Sequence, residues 1–529
     1  MRRYIPVILA LSIAFSNLSA QDNLSALLPM PNKIEVINGK KEFTVTDKTV
    51  IATNLPDSSF CITELQSILQ KHTGITPAVS GNNKEKHAIQ VMLNPSVTGN
   101  ERYILSVSGN TVKIEGATAN AIFYGIMTLD QILIGDNCRT KAKKIAAIEI
   151  DDTPRFGYRS MMLDPARNFL PVSDIKLFID RMVRYKYNIL QLHLTDDPGW
   201  RIEIKKYPQL TKEREFYTQE ELKDIVRYAS ERGVEVIPEL DIPGHTVSFL
   251  AAYPEFGCTN TDTVPKIPEK TRDMMLCASN DKIYSMYKDI IAEVAAIFPS
   301  QYIHLGGDEA VVAKNWAKCE RCMALAKQLG YKNANQLMGY FFEKMLPAVY
   351  ENGKKPMFWC EIEPNETGEY EYLLDYPDDA VLFTWRNGLT PTCTELTNKN
   401  GNKLVMAPGE YAYLDYPQYK NDFPEFNNWG MPVTTLETTY SLDPGYGLPT
   451  EKQEHIIGIN GTVWGEAITD INRVTYMTYP RGLALAEAGW TQMEHRDWSS
   501  FKERMFKNLT EMMKAGISFR VPFEIVREK

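Results

Sequence analysis

Tyr302-Ile303-His304-Leu305-Gly306-Gly307-Asp308-Glu309 decides how the rest of the chain is read. An apolar run ends in two glycines, which allow a sharp turn and leave open space in front of it. Two adjacent carboxylates follow at the tip of a buried strand, where their pKa values must separate or be compensated. The same local design recurs along the chain. Runs at Tyr158 to Leu163, Asn188 to Leu194, Val234 to Leu240, Gln301 to Leu305, Pro356 to Cys360, Ala380 to Thr384, Lys403 to Ala407 and Ile456 to Val463 read as eight strands separated by helical stretches. This alternation implies a parallel sheet with helical crossovers. Eight β/α units over about 350 residues suit a TIM barrel. An open doubly wound sheet would carry a glycine-rich phosphate turn after its first strand, and Leu163-Asp164-Pro165-Ala166-Arg167 is not one.

Each run leads into polar or aromatic groups: Asp164 and Arg167, with Arg159 inside the run; His193 to Arg201; Pro238 to His245; Asp308 and Glu309; Trp359 and Glu361; Trp385 and Arg386; Tyr411, Tyr413 and Asp415; Trp464 and Glu466. Barrel enzymes keep their active sites at the carboxyl ends of their strands. Upstream, residues 21–150 read as a small α+β domain. Its expected parts are strands at Ile34 to Val36 and Phe43 to Val45 with Asn38-Gly39 as the turn between them, a helix from Cys61 to Lys71, a strand at Ile89 to Met92, a hairpin around Gly109-Asn110 and a helix from Ala117 to Leu133. His72 and His87 read as surface residues. The catalytic barrel is expected over 151–515, with a tail at 516–529.

The chain has 529 residues, 44% hydrophobic and 24% charged, with a formal charge of −9. That balance argues against nucleic acid and against a polybasic membrane surface. Met1 to Ala20 reads as a signal peptide: Arg2 and Arg3, an apolar Ile5 to Phe15, and Leu18-Ser19-Ala20 before the cut. An exported protein, periplasmic or secreted, is expected, without membrane insertion. Export permits disulfides among the eight cysteines. Cys319 and Cys322 form a C-x-x-C with no second pair at zinc-site spacing, so a local disulfide or two free thiols is expected; Cys258 and Cys277 flank a loop and could pair. No metal or cofactor is expected, and oligomeric state is not legible.

Trp359, Trp385 and Trp464 at successive tips, beside carboxylates and an Arg, suit a sugar: rings cover C–H faces while charges bind hydroxyls. An ordinary glycosidase holds its two carboxyls roughly 5 Å apart, or 6.5–9.5 Å when inverting, on opposite sides of the bond. Sequence neighbours are poorly placed for that. A 2-acetamido group that attacks C1 itself removes the difficulty, leaving the enzyme one acid/base and one stabilising carboxylate. A metal hydrolase built on His193, Asp196, Asp197, Asp241, His245, His304 and Asp308 is a rival, but an Arg and several Trp fit a divalent site poorly. A non-catalytic glycan-binding protein is another, though both carboxylates are present.

His304-Leu305-Gly306-Gly307-Asp308-Glu309 resembles the signature of glycoside hydrolase family 20, the β-N-acetylhexosaminidases. The resemblance continues through Arg159 to Arg167, His193 to Arg201, Pro238 to His245, Tyr413-Leu414-Asp415 and Trp464-Gly465-Glu466, and covers 151–515. Leu28-Pro29-Met30-Pro31 and Tyr124-Gly125 resemble the small domain that precedes the barrel in that family. Ser160 stands where a Gly is usual, and Asn168 where a His is usual. The resemblance implies an exo-acting, retaining enzyme that removes a terminal β-linked GlcNAc or GalNAc, with disaccharide release as the alternative. It implies Glu309 as acid/base, Asp308 as the residue orienting the acetamido nitrogen, and Tyr413 as donor to the acetamido oxygen. Trp359, Trp385 and Trp464 would wall that group, Arg159, Asp415 and Glu466 bind sugar hydroxyls, and Asp196 and His245 tune Glu309.

Overall fold

The computed structural model describes residues 22–56, 59–82, 84–135, 143–258, 274–420, 431–446 and 448–526. The expected leader, Met1 to Ala20, lies outside them. Eight parallel strands form a closed barrel: β1 (Tyr158–Leu163), β2 (Ile189–Asp196), β3 (Glu235–Ile242), β4 (Tyr302–Gly306), β5 (Lys355–Trp359), β6 (Val381–Thr384), β7 (Lys403–Met406) and β8 (Ile456–Val463). Each pairs with the next, and β1 closes the ring by pairing with both β2 (Ser160↔Ile189) and β8 (Tyr158↔Gly458). Alternation of side chains divides the strands between two cores. Met162, Ile237, Met357, Val381, Phe383 and Val405 fill the barrel interior. Leu190, Ile303, Leu305, Phe358, Leu382 and Leu404 face outward into the larger core shared with the helices. Burial on both faces explains why these strands read as continuous apolar runs.

The preceding domain is a seven-stranded mixed sheet with helices Phe60–Thr73 and Ala119–Gly135. Its hairpin pairs Tyr103–Ser108 with Thr111–Gly116. The strands at Lys33–Val36 and Phe43–Thr44 do not pair with each other across Asn38-Gly39. The first joins Ile148–Asp152 and the second joins Lys144–Ile145, so long-range partners set their register. Both histidines are half-buried rather than fully exposed: His72 lies 2.7 Å from buried Asp130, and His87 stacks on Phe43 at 4.8 Å.

The last strand of this sheet runs to Asp152, two residues beyond the expected edge of the domain. Fully buried Asp152 accepts hydrogen bonds from Tyr103 Oη (2.7 Å), Lys186 Nζ (3.0 Å) and Trp490 Nε1 (3.0 Å), so it fastens the sheet to the barrel. The helix Trp498–Lys514 closes the other side, with Arg504 paired to Glu487 at 2.7 Å while donating to Leu27 O at 2.7 Å. The barrel's base is thereby held, and its mouth is left to the βα loops.

Candidate active site

β4 ends in a run of left-handed residues: Gly306 (φ +65°), Gly307 (φ +93°) and Glu309 (φ +46°). A Cβ on Gly306 would lie 1.8 Å from Asp241 Oδ1, so a side chain there would expel the β3 carboxylate. Gly307 N donates to Asp241 Oδ1 (3.3 Å), and Glu309 N donates to Glu361 Oε1 (3.2 Å) just past β5. The turn is therefore pinned from both neighbouring strands. Its twist sends two sequence neighbours into different surroundings: the Asp308 side chain is 11% exposed and that of Glu309 41%. Burial, reinforced by the charge of Glu309, holds the Asp308 carboxyl above the usual range against the opposing pull of His245.

Aromatic rings line the mouth beside this pair. Trp359 and Trp464 are buried with centroids 5.6 Å apart, and Tyr413 lies 6.1 Å from Trp464. Trp385 is half-buried against the same cluster, its indole N–H has no hydrogen-bond partner among the described residues, and Arg386 stacks 4.6 Å above its ring. Trp359 is fixed from behind: its Nε1 donates to Glu239 Oε1 at 2.7 Å. Glu239 also faces His193 Nδ1 (3.0 Å) and His304 Nδ1 (3.3 Å). Burial opposes charge on Glu239, but the two histidines win and hold it well below the ordinary carboxylate range. Burial keeps the Tyr413 hydroxyl protonated, and the carboxylates of Asp308 and buried Asp415 add to the effect.

The charges converge on Arg167. Its guanidinium contacts Asp164 Oδ2 (2.8 Å), Asp196 Oδ2 (2.9 Å) and Glu466 Oε1 (3.3 Å), and stacks 4.9 Å over Trp464. Asp196 relays this charge to His193 (2.9 Å) and to His245 Nδ1 (3.4 Å). His245, itself left-handed at φ +51°, presents Nε2 to Asp308 (3.7 Å) and Glu309 (3.5 Å). Burial disfavours its charged form, yet Asp196 and Asp241 raise it well above the ordinary histidine value. Ligand atoms of Asp196, Asp241 and His245 lie within 4.8 Å of one another, as do those of His193, Glu239 and Asp241, so these groups act as one charged network behind the carboxylate pair.

Arg159 does not reach the mouth, contrary to the expected hydroxyl-binding role. It is the second residue of β1, at the amino end of the strand, and only 1% exposed. It pairs with Glu101 of the first domain (2.7 Å), meets Tyr124 Oη (3.2 Å), donates to Phe156 O and Lys186 O, and stacks over Trp490. It belongs to the domain junction, and Arg167, four residues beyond the strand, is the arginine at the mouth. The two departures from the family pattern have local partners: Ser160 Oγ bonds Asn460 Oδ1 (2.7 Å), and Asn168 Nδ2 bonds Gly465 O (2.5 Å) between Trp464 and Glu466. Glu239, Asp241 and Glu361 also hold the site: Glu239 accepts from Trp359 Nε1, Asp241 from Gly307 N, and Glu361 from Glu309 N. The signal that finds them is chemical: carboxylates buried on a strand or just past its end need donors, and the nearest donors belong to the site.

Glu361 is held by Arg386 (Nη2–Oε2 2.8 Å) and by Glu309 N, and burial pushes it from 4.5 up to about 7. Folding takes up a proton there between about 4.5 and about 7, so its contribution to stability is fully present below that window and lost as pH rises through it. Glu361→Gln is neutral throughout. Its melting temperature relative to wild type is expected to climb as pH rises across the window, measured by calorimetry. A difference that does not change with pH would refute the shifted ionisation.

A closed barrel whose mouth sets a buried and an exposed carboxylate among three tryptophans and a tyrosine is the architecture of a carbohydrate-cleaving (β/α)8 hydrolase. The glycosyl hydrolase family 20 catalytic-domain model matches residues 156–493, and the model of that family's domain 2 matches residues 24–153. The chain belongs to glycosyl hydrolase family 20. A beta-hexosaminidase of Akkermansia muciniphila is 37% identical over 421 residues, covering 77% of this chain and 82% of that protein. One of Porphyromonas gingivalis is 31% identical over 516 residues, covering 94% and 64%. The structure of an exo β-N-acetylglucosaminidase from Vibrio harveyi in complex with N-acetylglucosamine superposes with a TM-score of 0.80 at 30% identity, covering 94% of this chain and 79% of that one.

Proposed function

We propose that this β-N-acetylhexosaminidase removes a terminal, non-reducing β-linked N-acetylhexosamine with the substrate's own acetamido oxygen as nucleophile, and that the residues divide the work as follows. Glu309, the exposed carboxyl of the pair, protonates the leaving oxygen. The acetamido carbonyl oxygen bonds to C1 as the glycosidic C1–O bond breaks, giving a cyclic oxazolinium. Asp308, buried beside it, accepts from the acetamido N–H and carries the counter-charge. Tyr413, kept neutral by burial, donates to the acetamido oxygen. Glu309, now a carboxylate, takes a proton from water, which attacks C1 and restores the acetamide with net retention.

Trp359, Trp464 and Trp385 wall the acetamido group. Arg167, Asp415 and Glu466 receive the hydroxyls of the terminal sugar, with Arg167 in the role expected of Arg159. Asp196 and His245 carry the Arg167 charge toward Glu309. The leaving sugar lies toward a cavity of about 480 Å³ that Glu309, Glu361, Arg386 and Tyr370 line.

The observation that carries this reading is the split of Asp308 and Glu309 between a dry and an open environment. A panel of aryl β-glycosides differing at C2 and C4 tests it. The N-acetylglucosaminide is expected to be cleaved at least about 10³-fold faster than the glucoside, the scale of losing an oriented intramolecular nucleophile. Comparable rates on the two would eliminate substrate assistance. The C4 pair reads the GlcNAc and GalNAc preference, and a lacto-N-biose glycoside reads disaccharide release.

A further inference from the structure

Four cysteines meet outside the sugar site. The sulfurs of Cys258, Cys277, Cys319 and Cys322 all lie within 4.8 Å of one another. Cys277 and Cys322 are 3.5 Å apart, and Cys258 and Cys322 3.8 Å. Four thiolates around a tetrahedral zinc, each at about 2.3 Å, stand about 3.8 Å from one another. The C-x-x-C therefore has the second pair that its sequence spacing did not reveal. We infer that these four cysteines form a closed tetrathiolate site for one Zn²⁺, which ties the loop after β3 to the loop after β4.

The surroundings are built for it. A Gly257↔Leu276 bridge, with Cys277 N donating to Phe256 O at 2.8 Å, sets Cys258 and Cys277 side by side. Cys319 immediately precedes the helix Glu320–Gln328, and Cys322 stands in its first turn. Cys277, Cys319 and Cys322 are buried and Cys258 is half-buried. Ser279 Oγ lies 3.2 Å from Cys277 Sγ and 3.7 Å from Cys322 Sγ. Arg321 Nη2 lies 3.7 Å from Cys277 Sγ while reaching Gly257 O, and its charge offsets part of the anionic cluster. Hydrogen bonds to the sulfurs and a nearby cation are what hold and orient thiolate ligands.

Loading is a proton exchange with no change of oxidation state: one Zn²⁺ replaces four thiol protons, leaving a tetrathiolate of charge −2. With all four positions taken by protein the ion is structural. It bears on the site through the chain. Cys319 follows Glu309 by ten residues, Trp316 Nε1 donates to Leu276 O at 2.8 Å between the two loops, and Leu276 N donates to Pro243 O beside His245. The zinc holds the loops that carry Glu309 and His245 in register.

The test uses the full chain, expressed in zinc-supplemented medium without a histidine tag and dialysed over chelating resin. Elemental analysis is expected to find one zinc per chain, released in step with titration of its thiols by an organomercurial. Cobalt exchanged into the site should show thiolate-to-cobalt charge transfer. Cys319→Ser combined with Cys322→Ser should lower the zinc content at least about tenfold, whereas Cys258→His, which keeps four ligands of accepted type, should retain it. Active wild-type enzyme holding less than about a tenth of a zinc would overturn the proposal. So would equimolar iron in the site, or peptide mapping that finds these cysteines in disulfides, the competing fate of crowded thiols in an oxidising compartment. Metal content of the wild type is independent of whether any variant folds, and of the sugar chemistry above.

Discussion

Glu309→Gln is expected to lower kcat/KM on an N-acetylglucosaminide with a sugar leaving group by about 10²–10⁴-fold, the range for loss of a positioned general acid. With a dinitrophenyl leaving group, which departs without a proton, the first step should be largely restored. Breakdown of the oxazolinium would then limit turnover, because the base for water is missing too, and a burst of phenolate followed by a slow steady rate is the expected trace. Asp308→Asn should behave differently. The amide cannot take the counter-charge of the oxazolinium, so a loss of about 10²–10³-fold should persist whatever the leaving group. Stability separates the two residues again. Asp308 is buried, and its carboxyl is raised by that burial and by Glu309. Removing its charge relieves both penalties, so Asp308→Asn should melt no lower than wild type. Glu309 is 41% exposed and its substitution should leave the melting temperature where it was. If the activated leaving group rescues Asp308→Asn and not Glu309→Gln, the two roles are reversed.

These expectations start from a turn whose meaning was legible in the sequence, and it is instructive where legibility stopped. The eight barrel strands read correctly because a parallel strand buried on both faces must be apolar along its whole length, and each ends abruptly in a polar tip. Trp359 ends its strand, and Asp308, Glu309, Trp385, Tyr413, Trp464 and Glu466 follow theirs, so their position near the mouth came with the strands. What the pattern did not supply was depth along a strand. Arg159 lies four residues before the end of β1, about 13 Å below its tip at the usual rise per residue, and the inside of a motif is not the inside of a site. Nor could it supply contacts between distant segments. Cys277 and Cys322 are 45 residues apart, and Cys258 and Cys322 are 64 apart. The strand at Phe43–Thr44 likewise takes its partner from residues a hundred positions on, which no local turn signal encodes.

Arg167→Lys and Arg159→Met should separate the two arginines. At Arg167 the planar guanidinium serves Asp164, Asp196 and Glu466 at once while lying flat on Trp464. A lysine ammonium is a point charge that cannot hold three carboxylates in that fork or stack on the indole. Each charge-assisted bond lost is worth about 1.5–3 kcal/mol. Losing one or two that orient Glu466 and the sugar should lower kcat/KM by roughly 10²-fold or more, chiefly through KM, because those contacts exist before the bond breaks. Loosening Asp196 also weakens the hold on His245, so the pH profile of kcat should shift as well. Arg159→Met removes a buried cation whose partners are Glu101, Tyr124 and two main-chain carbonyls at the junction with the first domain. Unpairing a largely buried charge costs about 3–5 kcal/mol when the partner stays buried; Glu101 remains 21% exposed, so the cost here should fall below that range. The melting temperature should drop by several degrees while KM on the aryl N-acetylglucosaminide stays near wild type. A raised KM with an unchanged melting temperature for Arg159→Met would return that residue to the sugar pocket. A normal KM for Arg167→Lys would remove Arg167 from it, because Arg167 is placed there by its contacts with both Glu466 and Asp196.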